Sequence, residues 1–226
     1  MFDRTLKILD ESILDSIKHQ KILLVGIGGV GGFALESLVR LGFQNITIVD
    51  ADTIEESNLN RQIISSKENI GKSKVEVAKQ RALSINPNIN LKTYQIFLIK
   101  DNIDTIFDAH YDYIIDACDT ITTKFLLIKK AKEIHAKIIS CMGTGNRLNP
   151  SLITITKLNK TYNDPLAKAM RNILKKNNIP LNIPVIWSSE EPIKIKEKAP
   201  GSIILVPAAA GLEITYFILN DLINRI

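Results

Sequence analysis

Short β-branched runs that alternate with longer amphipathic segments predict an α/β protein built on a doubly wound, mostly parallel sheet with helices on both faces. Three observations carry that expectation. Runs of strand length alternate with segments of helical period as far as residue 143, and a glycine-rich turn joins the first run to the first such segment. The chain has 226 residues, 45% apolar and 23% charged, which suits one globular core and excludes a disordered or low-complexity chain.

KILLVG (21–26) and NITIVD (45–50) are apolar runs of buried-strand length. Between them, VGGFALESLVRLG repeats apolar residues at helical spacing up to Gly42, which completes a βαβ unit. A helix comes next over 72–85, stopped by Asn86 and Pro87, and then a strand over 91–97. YDYIIDACD (111–119) and KIISCMG (137–143) are two further strands, separated by the amphipathic helix TTKFLLIKKAKEIH. In the second half, SLITITKL (151–158) reads as a strand, and Asp164-Pro165 supplies an N-cap and a first-turn proline for a helix to Lys176. VIWSSE (185–190) reads as a strand that Pro180, Pro184 and Pro192 push to the sheet edge. Residues 191–201 form a Lys- and Pro-rich loop, and SIILV (202–206) is a last strand running into Pro207 and a helix from Ala208 to Asn224. With no internal repeat and no flexible linker, residues 1–226 are expected to form a single domain whose carboxyl half, 151–226, is adorned.

Composition narrows the chemistry. Cys118 and Cys141 are the only cysteines, so neither a disulfide framework nor a four-cysteine zinc site can form in one chain, and both are expected to be reduced structural thiols. His19, His110 and His135 show no metal-ligand spacing. No run is expected to reach the roughly 18–20 uncharged apolar residues of a membrane span, and MFDRTLKILDE lacks the apolar core of a signal peptide, so a cytoplasmic protein without membrane contact is expected. The net charge of +5 sits entirely in residues 157–200, where Lys157, Lys160, Lys168, Arg171, Lys175, Lys176, Lys194, Lys196 and Lys198 face four acidic residues. Arg171 and Lys175 share a helix side, so Lys168, Arg171, Lys175 and Lys176 suit RNA phosphates, although a solvated helix face looks the same.

GIGGVG (26–31) follows a predicted strand and opens a predicted helix, so Gly26, Gly28, Gly29 and Gly31 let bare backbone approach a phosphate. Asp50, at the end of the next strand, suits the ribose hydroxyls of an adenosine, which makes residues 1–150 a Rossmann-like nucleotide-binding half. NAD and ATP both carry that ribose. Gly71-Lys72-Ser73 is no P-loop, because Ser66 stands where the leading glycine belongs and no strand precedes it.

Three segments beyond Asp50 decide between those nucleotides. DADTIEESNLNRQ (50–62), NIGKSKVE (69–76) and DACDT (116–120), in that order, resemble the ThiF/MoeB adenylyltransferase superfamily, whose members activate carboxylates with ATP. The resemblance implies one nucleotide site. It includes Asp50 and Asp52 of the DxD strand end, Ser57, Asn58, Arg61 and Gln62 of the SNLNRQ run, Lys74, and Asp119. Asp50 would bind ribose, Asn58, Arg61 and Lys74 the triphosphate, and Asp119 the Mg2+; Arg61, Lys74 and Asp119 would be catalytic. Taken singly, Arg61 and Lys74 would be ordinary surface cations and the two aspartates helix caps. A tetra-anion nevertheless needs cations around its phosphates and a carboxylate-held metal, whereas an NAD enzyme does not. Arg4 stands where related enzymes place an arginine that reaches the partner subunit's ATP.

The carboxyl half resembles one branch, the tRNA threonylcarbamoyladenosine dehydratases, through TYNDPLAKAMRNILKKNNI (161–179), WSSEEP (187–192) and SIILVPAAAGLEI (202–214). Paired CxxC motifs, usual where a sulfur carrier is the substrate, are missing. The resemblance implies ATP-dependent, ligase-type activation of the carboxylate of N6-threonylcarbamoyladenosine in tRNA, followed by cyclisation with loss of water, and a homodimer. Segment 157–201 would face the tRNA. AMP transfer is the superfamily expectation, with phosphate transfer open. No enzyme thiol is needed, because an internal nucleophile has an effective molarity of about 10⁵ M or more. A monovalent cation and a sulfur-transfer protein stand as further candidates that these residues neither require nor exclude. The connection over 190–201 is shorter than in larger members of the branch. Three alternatives stay open: an adenylyltransferase for the C-terminus of a ubiquitin-like sulfur carrier, a non-catalytic nucleotide-binding tRNA chaperone, and a nicotinamide-dependent oxidoreductase.

Overall fold

Seven strands form one sheet: β1 (Lys21–Val25), β2 (Asn45–Val49), β3 (Asn90–Tyr94), β4 (Tyr113–Asp116), β5 (Lys137–Cys141), β6 (Ile153–Lys157) and β7 (Pro184–Ser188). Their order is β3-β2-β1-β4-β5-β7-β6, parallel throughout except for β6 against β7. The computed structural model describes residues 1–197 and 199–225; Lys198 of the basic segment lies outside the described residues.

Alternation along the strands explains the two helical layers. Ile22 and Leu24 of β1 share a core with α1 (Glu11–His19), α2 (Gly31–Leu41), α3 (Lys74–Ile85) and α6 (Leu205–Ile223). Leu23 and Val25 point the other way, toward Leu127 and Ala131 of α4 (Ile121–Glu133). On that second face α5 (Pro165–Lys176) buries Ala167, Met170 and Leu174 against Val185 and Trp187 of β7. A strand covered on both sides must be apolar at successive positions, which is why KILLV and YIID read as unbroken runs. Gly42, at φ +102°, ends α2 by donating its N–H to Leu38 O, and Asp164 caps α5 by accepting the Ala167 N–H at 2.9 Å. At the far end of α6, Asp221 receives Lys137, the Tyr113 hydroxyl and Arg225, tying the helix to the starts of β4 and β5.

The doubly wound α/β expectation holds, with four differences. β7 is not an edge strand; it lies between β5 and β6, and its Pro184 is the first strand residue, where a missing N–H breaks little of the ladder. SIILV is not a strand. Residues 202–204 lead directly into α6, and Pro207 falls in its first turn, where helix N–H groups have no intrahelical acceptor anyway. Because the helix starts earlier than Ala208, α6 has 19 residues and is long and apolar enough by composition to cross a membrane, although Glu213 and Asp221 interrupt its uncharged run. It lies instead along α2 and the sheet, burying Val206, Ala210, Ile214, Ile218 and Leu222, and Gly211 lets it approach so closely that an added Cβ would stand 2.5 Å from Val30 O. Finally, α1 is an element that the sequence pattern does not predict; it docks through Ile13, Leu14 and Ile17.

Candidate active site

Parallel doubly wound sheets open a crevice at the carboxyl ends of their strands where the winding reverses, here between β1 and β4. A cleft of about 880 Å³ lies there, within the range of small-molecule sites. Its floor is the glycine turn between β1 and α2. Gly26, at φ +92°, passes so close to β4 that a Cβ would meet Ala117 O at 2.7 Å, and a Cβ on Gly31 would collide with Gly26 O. Gly28 differs. A Cβ there would project into open space, its nearest neighbour being Gln62 Nε2 at 3.9 Å, so this glycine leaves backbone exposed to the cleft.

Asp50 ends β2 beside that turn. Its Oδ2 accepts the Ile27 N–H at 2.6 Å and its Oδ1 the Asp52 N–H at 2.9 Å, so the carboxylate orients the glycine turn as well as facing the cleft. Burial pushes its pKa up, opposed by these two N–H groups and by Lys74. The Lys74 ammonium is brought in at the start of α3 and donates to Asp52 Oδ2 at 2.8 Å, with the lysine side chain 7% exposed and the aspartate 67%. Arg61 is held by Ser57 O at 2.7 Å and Asn60 Oδ1 at 2.9 Å. Asn58 completes a reciprocal cap with Glu55. Asp119 is exposed, and its one hydrogen bond among the described residues comes from the Thr120 hydroxyl at 3.4 Å.

The cleft thus gathers Gly26, Gly28, Gly29, Asp50, Asp52, Asn58, Arg61, Gln62, Lys74 and Asp119. Gly31 and Ser57 are not in its wall: the first serves the turn's own geometry, and the second is exposed outside it. Lys168, Arg171, Lys175 and Lys176 lie beyond it on α5. Arg171 is half-buried, its guanidinium donating to Thr161 O at 3.0 Å, while the three lysines are exposed without acidic partners among the described residues. Arg4 is exposed and does not line its own chain's cleft.

Sequence reading missed two charged groups. Under the floor, Lys124 donates to both oxygens of Asp116 at 3.1 Å and to Cys141 O at 2.6 Å, with lysine and aspartate both at 0% exposure. Burial pulls this ammonium down, and Asp116 outweighs it, leaving its pKa above the ordinary value. The lone lysine in the apolar run TTKFLL was the available signal. Arg147, on the turn after β5, is likewise buried, and nothing local in the sequence marked it. Both cysteines line the cleft as protonated thiols. Burial pushes the Cys141 thiol up to about 12 and Cys118 higher still, and Cys118 donates to Asp116 at 3.1 Å.

The family model "ThiF family" matches residues 2–183. The chain belongs to the ThiF family. The tRNA threonylcarbamoyladenosine dehydratase of Bacillus subtilis (strain 168) is 33% identical over 242 residues, covering 100% of this chain and 95% of that one. The solved tRNA N6-threonylcarbamoyladenosine dehydratase of E. coli in complex with ATP superposes at a TM-score of 0.93 with 30% identity, covering 99% of this chain and 94% of that one. The same enzyme in complex with AMP gives 0.93 and 30%, with 98% and 93% covered. The resemblance to this branch is borne out. In this ThiF-family chain the segment over 191–197 and 199–201 flanks the cleft as a strap, lining it through Pro192, Ile193, Lys194, Ile195, Glu197 and Pro200. The Ile193 N–H donates to Asn146 O at 2.8 Å, and Asn146 N and Gly201 O close a clasp at 2.7 Å.

Proposed function

We propose that the protein dehydrates N6-threonylcarbamoyladenosine in tRNA to a cyclic form, using ATP to activate its carboxylate. The observation that carries this reading is the convergence of Asp50, Arg61, Lys74 and Asp119 on one cleft whose glycine floor is open at Gly28. Asp50 receives the ribose hydroxyls, while Arg61 and Lys74, with Asn58 and Gln62, offer N–H donors to the triphosphate. The substrate carboxylate forms an anhydride with phosphorus, and a nitrogen or oxygen of the same modification then attacks the carbonyl. The carboxylate oxygen departs on phosphorus, which accounts for the lost water. Cys118 and Cys141 stay protonated and take no part, and the internal nucleophile makes an enzyme thiol unnecessary.

Among the described residues no three His, Cys, Asp or Glu side chains gather to cage a metal. A single free carboxylate, Asp119, would hold a Mg2+ that arrives with the nucleotide, since such ions are usually bound by only one or two protein carboxylates. Bound there, the ion would supply charge neutralisation at phosphorus. Lys157, Lys160, Lys168, Lys175, Lys176 and Lys196 are exposed cations suited to meet tRNA phosphates. Leu205, Leu212, Tyr216 and Ile223 lie exposed along α6 at helical spacing, which supports a homodimer packed on that helix, with Arg4 reaching the other copy's cleft. The protein works in the cytoplasm, where its tRNA substrate is.

Incubating purified protein with Mg-ATP and tRNA carrying the modification should produce nucleosides lighter by one water. Asp119→Ala should fold normally and lose at least about 10²-fold in kcat. Wild-type protein that leaves the nucleoside mass unchanged, or an Asp119→Ala variant of full activity, overturns the reading or the metal assignment respectively.

A further inference from the structure

The nucleotide motifs occupy only part of the cleft. Its other lobe is walled by the turn after β5, the amino end of α5 and the strap, through Thr144, Gly145, Leu166, Ile193 and Lys194. None of these belongs to a motif that reads a nucleotide. The lobe is rich in unspent donors. Among the described residues, the N–H groups of Thr144 and Gly145 have no acceptor, and the exposed Lys194 has no acidic partner. In the nucleotide half, by contrast, Lys74 is already paired with Asp52 and Arg61 with Ser57 and Asn60.

One buried side chain holds the three walls together. Arg147 Nη1 donates to Ser188 O at 2.5 Å and Glu190 O at 2.9 Å, at the end of β7, and Nη2 donates to Asn163 O at 3.1 Å, before α5. Its neighbours lock the same frame: Asp164 Oδ2 accepts the Gly143 N–H at 3.0 Å, and the Glu190 carboxylate accepts the N–H groups of Leu148 and Asn149 at 3.1 and 2.9 Å. Arg147 therefore fixes how far the strap and α5 stand from the turn, without contacting any nucleotide-motif residue.

We propose that this lobe is the acceptor subsite, in which Lys194 and the N–H groups of Thr144 and Gly145 receive the carboxylate of a modified nucleoside, and that Arg147 is its positioning residue. Leu166 and Ile193 give the methyl-bearing part of such an acceptor an apolar wall. The identity of the acceptor rests on the proposed dehydratase function; the division of the cleft into two lobes rests on Arg147 and the unspent donors.

The test uses the full chain with Lys194→Ala, an exposed change, and Arg147→Gln. Affinities for ATP, for tRNA bearing threonylcarbamoyladenosine and for the same tRNA unmodified are measured separately, together with turnover. Lys194→Ala should weaken modified tRNA by about tenfold or more, the loss of one charge-assisted hydrogen bond, and leave ATP and unmodified tRNA within about twofold. Arg147→Gln should raise KM for modified tRNA and lower kcat at unchanged ATP affinity, and Arg147→Lys should restore only part of both, because one ammonium cannot span three carbonyls. Equal weakening of modified and unmodified tRNA by Lys194→Ala makes it a phosphate contact and overturns the proposal, as does equal loss of ATP affinity in either variant. Wild-type protein that binds ATP but neither distinguishes nor dehydrates modified tRNA sinks the functional reading itself, an outcome that needs no variant to recognise.

Discussion

Replacing Lys124 by methionine removes an ammonium of zero exposure and leaves the Asp116 carboxylate in the same apolar surroundings. The carboxylate would keep the Ser140 hydroxyl at 2.5 Å and the Cys118 thiol at 3.1 Å, but it would lose both hydrogen bonds from the one ammonium at 3.1 Å, and Cys141 O would lose its bond to the same group at 2.6 Å. Orphaning one member of a buried pair costs about 3–5 kcal/mol, whereas replacing both members with apolar groups is often close to neutral. At roughly 2–4 °C per kcal/mol for a chain of this size, Lys124→Met should lower Tm by about 6–20 °C. Trp187, the single tryptophan, is buried in β7 beside this region and reports urea unfolding directly. The double variant Asp116→Leu/Lys124→Met should recover most of the loss, giving a coupling energy of about 2 kcal/mol or more. A single variant within about 1 kcal/mol of wild type, or a double variant no better than the single, refutes the claim that the pair's worth lies in mutual neutralisation.

Three further outcomes are expected. Gly28→Ala should keep a wild-type Tm and bind ATP at least about tenfold more weakly by calorimetry, while Gly31→Ala should fail to fold, because the first points its methyl into the cleft and the second into Gly26 O. The Asp221 carboxyl is pushed up by partial burial and pulled down further by Lys137, Tyr113 and Arg225, for a net lowering. Its contribution is therefore complete above the unfolded carboxylate range near pH 4 and is lost as pH falls through the lowered folded value, so the stability gap between wild type and Asp221→Asn should be constant above about pH 5 and shrink below about pH 4. A gap that widens in acid would refute the latch. Binding of tRNA should fall by about 10²–10³ between 50 and 200 mM salt if some five of the 157–200 cations meet phosphates, and filter binding across that range would expose an insensitive complex.

Much of the site was legible because its elements are local. A glycine turn between a strand and a helix, an aspartate at the next strand end and a short SNLNRQ run each keep their spacing whatever the rest of the chain does. The groups that remained hidden are defined by distant partners. Lys124 means something only once Asp116 and Cys141 lie beneath the cleft, and Arg147 only once the ends of β7 and α5 converge on it. The errors in the fold have the same origin. Prolines around β7 suggested an edge, but the antiparallel β6 supplied an outer neighbour that the local pattern could not announce. The run SIILV has strand composition, yet the final helix begins inside it because Pro207 is harmless in a first turn.

Asn146 ties both ends of the strap, accepting the Ile193 N–H at its carbonyl and donating its own N–H to Gly201 O, so the segment beside the cleft is a loop closed on the turn after β5 rather than a hinged flap. A folded RNA is far too bulky to enter a cleft of about 880 Å³ beside such a loop. Only a nucleotide swung out of its stack can thread the opening, at a cost of a few kcal/mol that is smallest in an unpaired loop. The architecture would thereby favour exposed loop positions over stems before any base is read.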